Sequence, residues 1–361
     1  MTCDPVDMSS IPVGLVGFGV AGRVFHAPVI RAVPGLELRT IVQRRGNAAE
    51  EAYADVRVVR DLDALLADQG IRLVVIATPN ASHHELARRC LLAGRDVVVD
   101  KPFTTTSAEA LDLIRIAASG RRLISVFQSR RWDGDFLTIR RLVASGTLGR
   151  VVQFESHYDR YRPARLVEAW RERDEPGAGL LFDLGSHLVD QALALLGAPH
   201  AVTADIRRER DWAVVDDAFD LVLHYPGLRV LLGATMLAPG PGPRFLLHGT
   251  RGSYTKYGLD PQESALRAGG LAGGAGWGEE QESSWGTLTL AEDGGVTERS
   301  LRTEPGDYRL YYANVRDALS GTAALAVTGE QAFRVIRLLE LARTSSRERR
   351  TIGCPADDPQ A

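Results

Sequence analysis

Along the first 130 positions, apolar residues alternate between short β-branched runs and longer stretches at helical spacing, most of them punctuated by glycine, proline or asparagine. Ile11 to Val16 reads as a strand, Ala21 to Ala32 as a helix, and Leu36 to Val42, after the turn Pro34-Gly35, as a second strand. A helix from about Asn47 to Ala54, a short strand Val56 to Val59 and a helix Leu62 to Ala67 follow. Leu73 to Ala77 and Asp96 to Asp100 are apolar without alternation, as strands of a parallel sheet covered on both faces require. Between them a helix runs to Ala93, with Ser82 and Glu85 at capping-box spacing. A helix Ser107 to Ser119 and a sixth strand Arg121 to Phe127 complete an α/β unit, a doubly wound parallel sheet of the Rossmann type.

From Val151 the period changes. Val151 to Tyr158, Ala201 to Arg208, Ala218 to His224, Leu228 to Met236 and Arg244 to His248 read as strands joined by proline and glycine turns. An amphipathic helix, Ser186 to Leu196, is closed by Gly197-Ala198-Pro199. Two helices, about Tyr308 to Ser320 and Gly329 to Arg343, finish the chain, the second opened by Thr328 with Gln331 at capping-box spacing. This predicts an α+β domain with an open, mostly antiparallel sheet, helices on one face and the other face left for another subunit. The chain therefore divides into a nucleotide-binding domain, 1–130, and a substrate-binding and oligomerisation domain, 131–361, with the C-terminal helices free to pack back on the first. The stretch Gly269 to Gly278 holds six glycines without a preceding strand and reads as a mobile loop, not a second phosphate cradle.

Composition adds exclusions. In 361 residues, 43 basic against 46 acidic side chains leave a net charge of -3, which recommends neither nucleic acid nor an anionic membrane as partner. No apolar run approaches the ~18 residues of a membrane span, and the N-terminal stretch lacks the basic and apolar regions of a secretion signal. Three scattered cysteines fit a reducing compartment better than a disulfide framework or a Cys-type zinc site. A cytoplasmic protein is expected.

The chemistry starts in the strand-to-helix turn Gly17-Phe18-Gly19-Val20-Ala21-Gly22, whose spacing is G-x-G-x-x-G. Gly17 permits the turn, Gly19 lets backbone approach a pyrophosphate, Gly22 lets helix and strand pack closely, and the helix N-terminus offers unpaired N–H groups. A glycine-rich loop of some other α/β protein would share the spacing. After the second strand, where an acidic residue would hold a ribose 2′-OH, stand Gln43, Arg44 and Arg45. A guanidinium there suits a 2′-phosphate, so NADP(H) is expected over NAD(H), the plain alternative being two solvated surface charges. His83 and His84 fall in a first helical turn, either exposed or edging the cofactor cleft. Lys101 follows a buried strand directly, where its ammonium would face that cleft. Asp183 and His187, four residues apart, bring a carboxylate and an imidazole to one helical face, although an N-cap and a packing histidine would look the same. Together, Lys101, Asp183 and His187 would serve alcohol oxidation, with a base for the hydroxyl proton and a cation for the oxygen. A metal site has no third ligand at a recognisable spacing.

Several separated motifs carry a resemblance. The glycine turn followed by Arg23-Val24-Phe25-His26-Ala27-Pro28, Ala77-Thr78-Pro79-Asn80, Asp100-Lys101-Pro102, the stretch Arg130 to Phe136, Asp183-Leu184-Gly185-Ser186-His187, Tyr161-Arg162-Pro163 and Lys256 to Asp260 occur together. They resemble the glucose-fructose oxidoreductase and inositol dehydrogenase family, Gfo/Idh/MocA, and most of all its NADP-dependent scyllo-inositol dehydrogenase branch. The resemblance implies a Rossmann domain, an open mixed sheet and an active site between them. It also implies Lys101 as the Lys-Pro lysine, Asp183 as the substrate-orienting aspartate, His187 as the acid/base histidine and Arg45 as the NADP-selecting arginine. Thr78, Pro79, Asn80 and His83 match the cofactor-side loop, and Trp132 and Tyr158 the substrate contacts. Asp100 stands where the family has glutamate, Gln128-Ser129 where it commonly has His-Asn, and the glycine-rich loop replaces a more charged segment.

The expected function is NADP(H)-dependent interconversion of a polyol or sugar hydroxyl and its ketone, scyllo-inositol and 2-keto-inositol being the leading pair, in a homodimer or homotetramer. A keto-sugar reductase of a biosynthetic pathway and a non-catalytic NADP-binding regulator remain the alternatives.

Overall fold

Six parallel strands form the first sheet: Ile11–Val16 (β1), Leu36–Val42 (β2), Arg57–Val59 (β3), Leu73–Ile76 (β4), Asp96–Val99 (β5) and Ile124–Val126 (β6). In this computed structural model, which describes residues 10–164, 172–292 and 294–355, their order is β3-β2-β1-β4-β5-β6. The order reverses between β1 and β4, and a crevice opens there beyond the strand ends. β4 and β5 are buried throughout, and each fully buried valine or isoleucine contributes about 1.5–3 kcal/mol. Helices Ala27–Arg31 (α1), Ala48–Ala52 (α2), Leu62–Leu66 (α3), His83–Leu92 (α4) and Ser107–Gly120 (α5) make the crossovers.

Two details depart from the pattern-based expectation. Ser82 does not cap α4; its hydroxyl bonds Thr78 Oγ1 at 2.8 Å and the Pro79 carbonyl at 2.7 Å, because Asn80–Ser82 forms a separate 3-10 turn. A capping box exists instead at α5, where Thr106 and Glu109 satisfy each other's backbone N–H groups. Arg121 is not the first residue of β6. It closes α5 in the left-handed region, φ 52°, so the strand begins three residues later.

The second sheet has nine strands: Val151–His157 (β7), Ala201–Arg207 (β8), Ala218–Tyr225 (β9), Leu228–Thr235 (β10), Phe245–Gly249 (β11), Gly252–Lys256 (β12), Gly286–Glu292 (β13), Gly295–Leu301 (β14) and Ile352–Gly353 (β15). The order is β14-β13-β12-β11-β7-β10-β9-β8-β15, parallel only between β7 and β10. The last four strands of that list in chain order, β12 to β15, have weak apolar alternation and were not legible from it. The same holds for helices Gly134–Ala144 (α6) and Gln262–Arg267 (α8). Ser186–Leu196 (α7), Arg309–Leu319 (α9) and Gly329–Glu348 (α10) complete the fold, α10 opened by the Thr328/Gln331 capping box. Gly269 to Gly278 forms successive tight turns.

The last two helices bind the halves together. Glu340 of α10 accepts from Ser107 N and Oγ at 2.8 and 2.6 Å, and Tyr311 of α9 shares a 2.8 Å hydrogen bond with Ser125 of β6. Buried Arg131 grips Asp190 of α7 in a bidentate pair at 2.8 and 2.7 Å and also donates to Gln331 and the Ala326 carbonyl. A buried guanidinium needs such full satisfaction. The α6, α7 and α10 ends are thereby held in fixed relation to the strand ends of the first sheet.

Candidate active site

The turn after β1 requires its glycines for three different reasons. Gly17 has φ +100°, and a Cβ there would collide with the Ala77 carbonyl; a Cβ on Gly22 would collide with the carbonyl of Gly17 itself. Gly19 faces open space, with nothing within 4 Å of an added Cβ. Phe18 turns into the core and meets Tyr53 edge-on at 6.0 Å, whereas Val20 is 52% exposed. The following helix opens with a wider π-type stretch, Ala21–His26, before α1. His26 is fully buried, its Nδ1 2.6 Å from Tyr312 Oη and its Nε2 3.6 Å from Asp100.

At the end of β2 the backbone is clamped by its own neighbours. Gln43 donates to the Arg45 carbonyl at 2.9 Å and accepts from Ala49 N at 2.8 Å, while Arg60 donates to the carbonyls of Gln43 and Gly46. Arg44 and Arg45 are exposed, and neither side chain makes an ion pair or hydrogen bond among the described residues.

Beyond β4, Asn80 Nδ2 donates to the Gly177 carbonyl at 2.8 Å, linking the cofactor-side loop to the segment that leads into Asp183. His83 is buried with Nδ1 2.9 Å from the Pro102 carbonyl and Nε2 2.9 Å from that of Thr78. Its ring bridges the loops that follow β4 and β5, and burial pushes its pKa below the ordinary value. His84 is half-buried and bonds Asp112 at 2.7 Å.

Lys101 and Pro102 are joined by a cis peptide bond at the end of β5. The Lys101 ammonium lies 2.9 Å from both the carboxylate Oδ1 and the backbone oxygen of Asp183. Asp183 belongs to a π-type turn, Leu181–Gly185, that precedes α7, so it is neither the N-cap of that helix nor within its first turn. Asp216 accepts from Leu181 N at 2.7 Å and fixes this turn. His187 follows in α7, 6% exposed, its Nδ1 shut off without a hydrogen-bond partner among the described residues. Burial first, then the positive charges of Lys101, Arg130, Arg244 and Arg160, hold its pKa well below the ordinary imidazole value. It is a neutral base at physiological pH. Asp100 shows the reverse balance: burial works to raise its pKa, but His26, Lys101 and His83 outweigh it and hold the carboxyl below its ordinary value.

These groups meet in one cavity of about 490 Å³ between the two halves, lined by Gly19, Val20, Ala21, Thr78, Pro79, Asn80, Asp100, Lys101, Asp183 and His187. Gly17, Phe18, Gly22, His83, Arg44 and Arg45 are outside the lining; the first four sit behind it and the arginines beyond the end of β2. Trp132 and Tyr158 are outside it as well. Trp132 packs edge-on against Tyr311 at 5.7 Å, and Tyr158, 1% exposed, is surrounded by the guanidiniums of Arg130, Arg160 and Arg244. Tyr158 thus lies under Arg130 and Arg160, which line the cavity, and Trp132 lies against α9. Arg160, Glu263 and Tyr308 line it and were not singled out from the sequence. Their signal was faint: an arginine just past a strand, a glutamate in a region without recognised elements, and a tyrosine at the start of a predicted helix.

The open position over Gly19, the two positions where any side chain would close the turn, and the cavity beside them suit a dinucleotide whose pyrophosphate rests on backbone N–H groups. Among the described residues no group of three His, Cys, Asp or Glu side chains could hold a metal ion.

Residues 11–128 match the family model described as "Oxidoreductase family, NAD-binding Rossmann fold", and residues 140–354 match "Oxidoreductase family, C-terminal alpha/beta domain". The oxidoreductase YdgJ of Escherichia coli (strain K12) is 45% identical over 343 residues, covering 95% of this chain and 98% of that protein. The scyllo-inositol 2-dehydrogenase (NADP(+)) IolW of Bacillus subtilis (strain 168) is 38% identical over 345 residues, covering 96% of each chain. The solved structure of the oxidoreductase yvaA from Bacillus subtilis superposes with a TM-score of 0.93 at 37% identity, over 97% of this chain and 100% of that one. With both halves matched and the glycine turn, Lys101, Asp183 and His187 gathered about one cavity, the chain belongs to the Gfo/Idh/MocA family of oxidoreductases.

Proposed function

We propose that this protein interconverts a secondary hydroxyl of a cyclic polyol or sugar and the corresponding ketone with NADP(H), and that scyllo-inositol and 2-keto-inositol are the leading pair. The observation that carries the reading is the convergence of an ammonium, a carboxylate and a neutral imidazole, from different halves of the chain, beside a glycine turn open enough for a nucleotide.

When bound, the nicotinamide supplies the acceptor or donor of a hydride at C4. The protein's own groups handle the proton and the oxygen. Two of the three Lys101 donors are engaged by Asp183 at 2.9 Å, leaving the third for a substrate oxygen whose negative charge grows as its proton leaves. His187 accepts that proton at Nε2 during oxidation and returns it during reduction, a task for which a neutral ring is required. Asp183 holds the ammonium in place and accepts from a neighbouring hydroxyl. Gly19 admits the pyrophosphate, and Arg44 and Arg45 hold the 2′-phosphate, a preference also supported by the NADP(+) in the name of one relative. The free thiol of buried Cys90 and the outer face of the nine-stranded sheet fit a cytoplasmic protein that pairs with further copies of itself as a dimer or tetramer.

A panel of inositols, aldoses and keto-sugars assayed with NADP(H) and NAD(H) tests the reading. Turnover faster with NADP(H) on a cyclic polyol or its ketone supports it. Cofactor binding without turnover on any member overturns it in favour of a non-catalytic role.

A further inference from the structure

Of the three lysine and arginine side chains that line the cavity, two have a carboxylate partner. Lys101 faces Asp183 at 2.9 Å, and Arg130 is held by Glu263 and by Asp133, the latter at 3.3 Å. Those arrangements leave each cation compensated. Arg160 also lines the cavity, yet its guanidinium makes no ion pair or hydrogen bond among the described residues. It sits over the face of Tyr158, 5.6 Å from the ring centroid.

Arg160 is also firmly placed. Its backbone N–H donates to the Thr235 carbonyl at 2.9 Å and its carbonyl accepts from Ala238 N at 3.0 Å, so the residue just past β7 is pinned to the end of β10. Buried Tyr158 beneath it is packed between Arg130 and Arg244, at 5.0 and 4.5 Å. Other guanidiniums stand close to it. Burial, then the neighbouring guanidiniums of Arg160 and Arg267, push Arg162 below its ordinary pKa, and Arg160 is among the cations that lower His187. A solvated arginine on an open surface needs no counter-ion. One set in a cavity wall among other cations, with its guanidinium over a buried ring and no carboxylate partner, is poised for an anion that can take two of its N–H donors at once.

We propose that Arg160 is a specificity-determining residue that binds an anionic substituent, a carboxylate or a phosphate, on the polyol or sugar being oxidised or reduced. This rests on the oxidoreductase reading of the site and moves its leading substrate from the neutral inositol pair to acidic derivatives of a polyol or sugar. The guanidinium grips the anionic group while the reacting carbon faces Lys101 and His187, and discrimination against neutral analogues follows from leaving Arg160 uncompensated.

The test compares kcat/KM for neutral inositol and aldose substrates with that for their uronate, aldonate and phosphate-ester counterparts, in the wild-type protein, R160Q and R160K, alongside NADPH affinity by fluorescence titration. The expected result is an acidic-to-neutral preference of at least tenfold in the wild type, reduced at least tenfold in R160Q mainly through KM, partly regained in R160K, with NADPH affinity moved less than twofold. Whether carboxylates or phosphates gain more tells which anion the site takes. Equal turnover of neutral and acidic substrates, or a neutral preference, overturns the inference and leaves the oxidoreductase reading standing. A tenfold loss of NADPH affinity in R160Q also overturns it, by assigning the guanidinium to the cofactor's phosphates. Absence of turnover on every substrate of both classes overturns the two together.

Discussion

The Lys101 ammonium touches Asp183 twice, at the carboxylate Oδ1 and at the backbone oxygen, 2.9 Å in each case, although 82 residues separate them. One comes from the end of β5 and the other from the turn before α7, so the contact exists only when the halves are correctly docked. Lys101→Ala is therefore expected to lower kcat by about 10²–10³-fold, the cost of removing a donor aimed at a developing oxyanion. Steady-state kinetics with NADPH titration checks this: unchanged cofactor affinity with reduced kcat is the expected split.

His187 predicts a pH dependence of known sign. Its pKa is held well below the ordinary value, so the native ring stays neutral under conditions where the unfolded chain has already bound a proton. Its neutral form keeps oxidative kcat/KM high down to pH values below ~6.5. Its linkage contribution to stability is fully present above ~6.5 and is lost progressively as pH falls from there to the lower folded-state pKa, because the unfolded state binds more protons over that range. H187Q is expected to abolish the acid limb of the rate profile and to lessen the fall of the urea-unfolding free energy on acidification below pH ~6.5, where the unfolded imidazole is charged and the folded one is still neutral.

The arginines after β2 predict a cofactor switch. Both are exposed and make no side-chain bond among the described residues, so replacing them with glutamate is expected to leave stability within about 0.5 kcal/mol. Losing charge-assisted bonds to a 2′-phosphate weakens NADP(H) binding by about 10–100-fold, equivalent to ~1.5–3 kcal/mol. Titration of R44E/R45E with both cofactors measures it, and an unaltered preference would return these residues to plain surface charges.

The glycines of the first turn separate folding from binding. G22A places a methyl group against the Gly17 carbonyl and is expected to lower Tm by several degrees or prevent folding. G19A has open space around its Cβ, so Tm is expected to hold while cofactor affinity falls at least about tenfold, the equivalent of ~1.4 kcal/mol. Thermal melts and cofactor titration on the two variants read the difference.

By itself, the sequence determined the alternation of strand and helix in the first half, because buried parallel strands demand unbroken β-branched runs such as Leu73–Ile76 and the turn after β1 demands glycine where a Cβ would collide. It also marked Lys101, Asp183 and His187 as residue types suited to moving a proton. The edge strand Gly295–Leu301 and its neighbour Gly286–Glu292 escaped, since they are largely solvated and their alternation is weak. Tertiary structure alone decided which side chains share the cavity. It left Trp132 and Tyr158 outside the lining, brought Arg160, Glu263 and Tyr308 to the wall, and set Asp183 in a π-type turn where its backbone oxygen as well as its carboxylate reaches Lys101. Those outcomes depend on how two sheets dock through Arg131, Asp190 and the last helices. Contacts between residues so distant in the chain leave no periodicity to read.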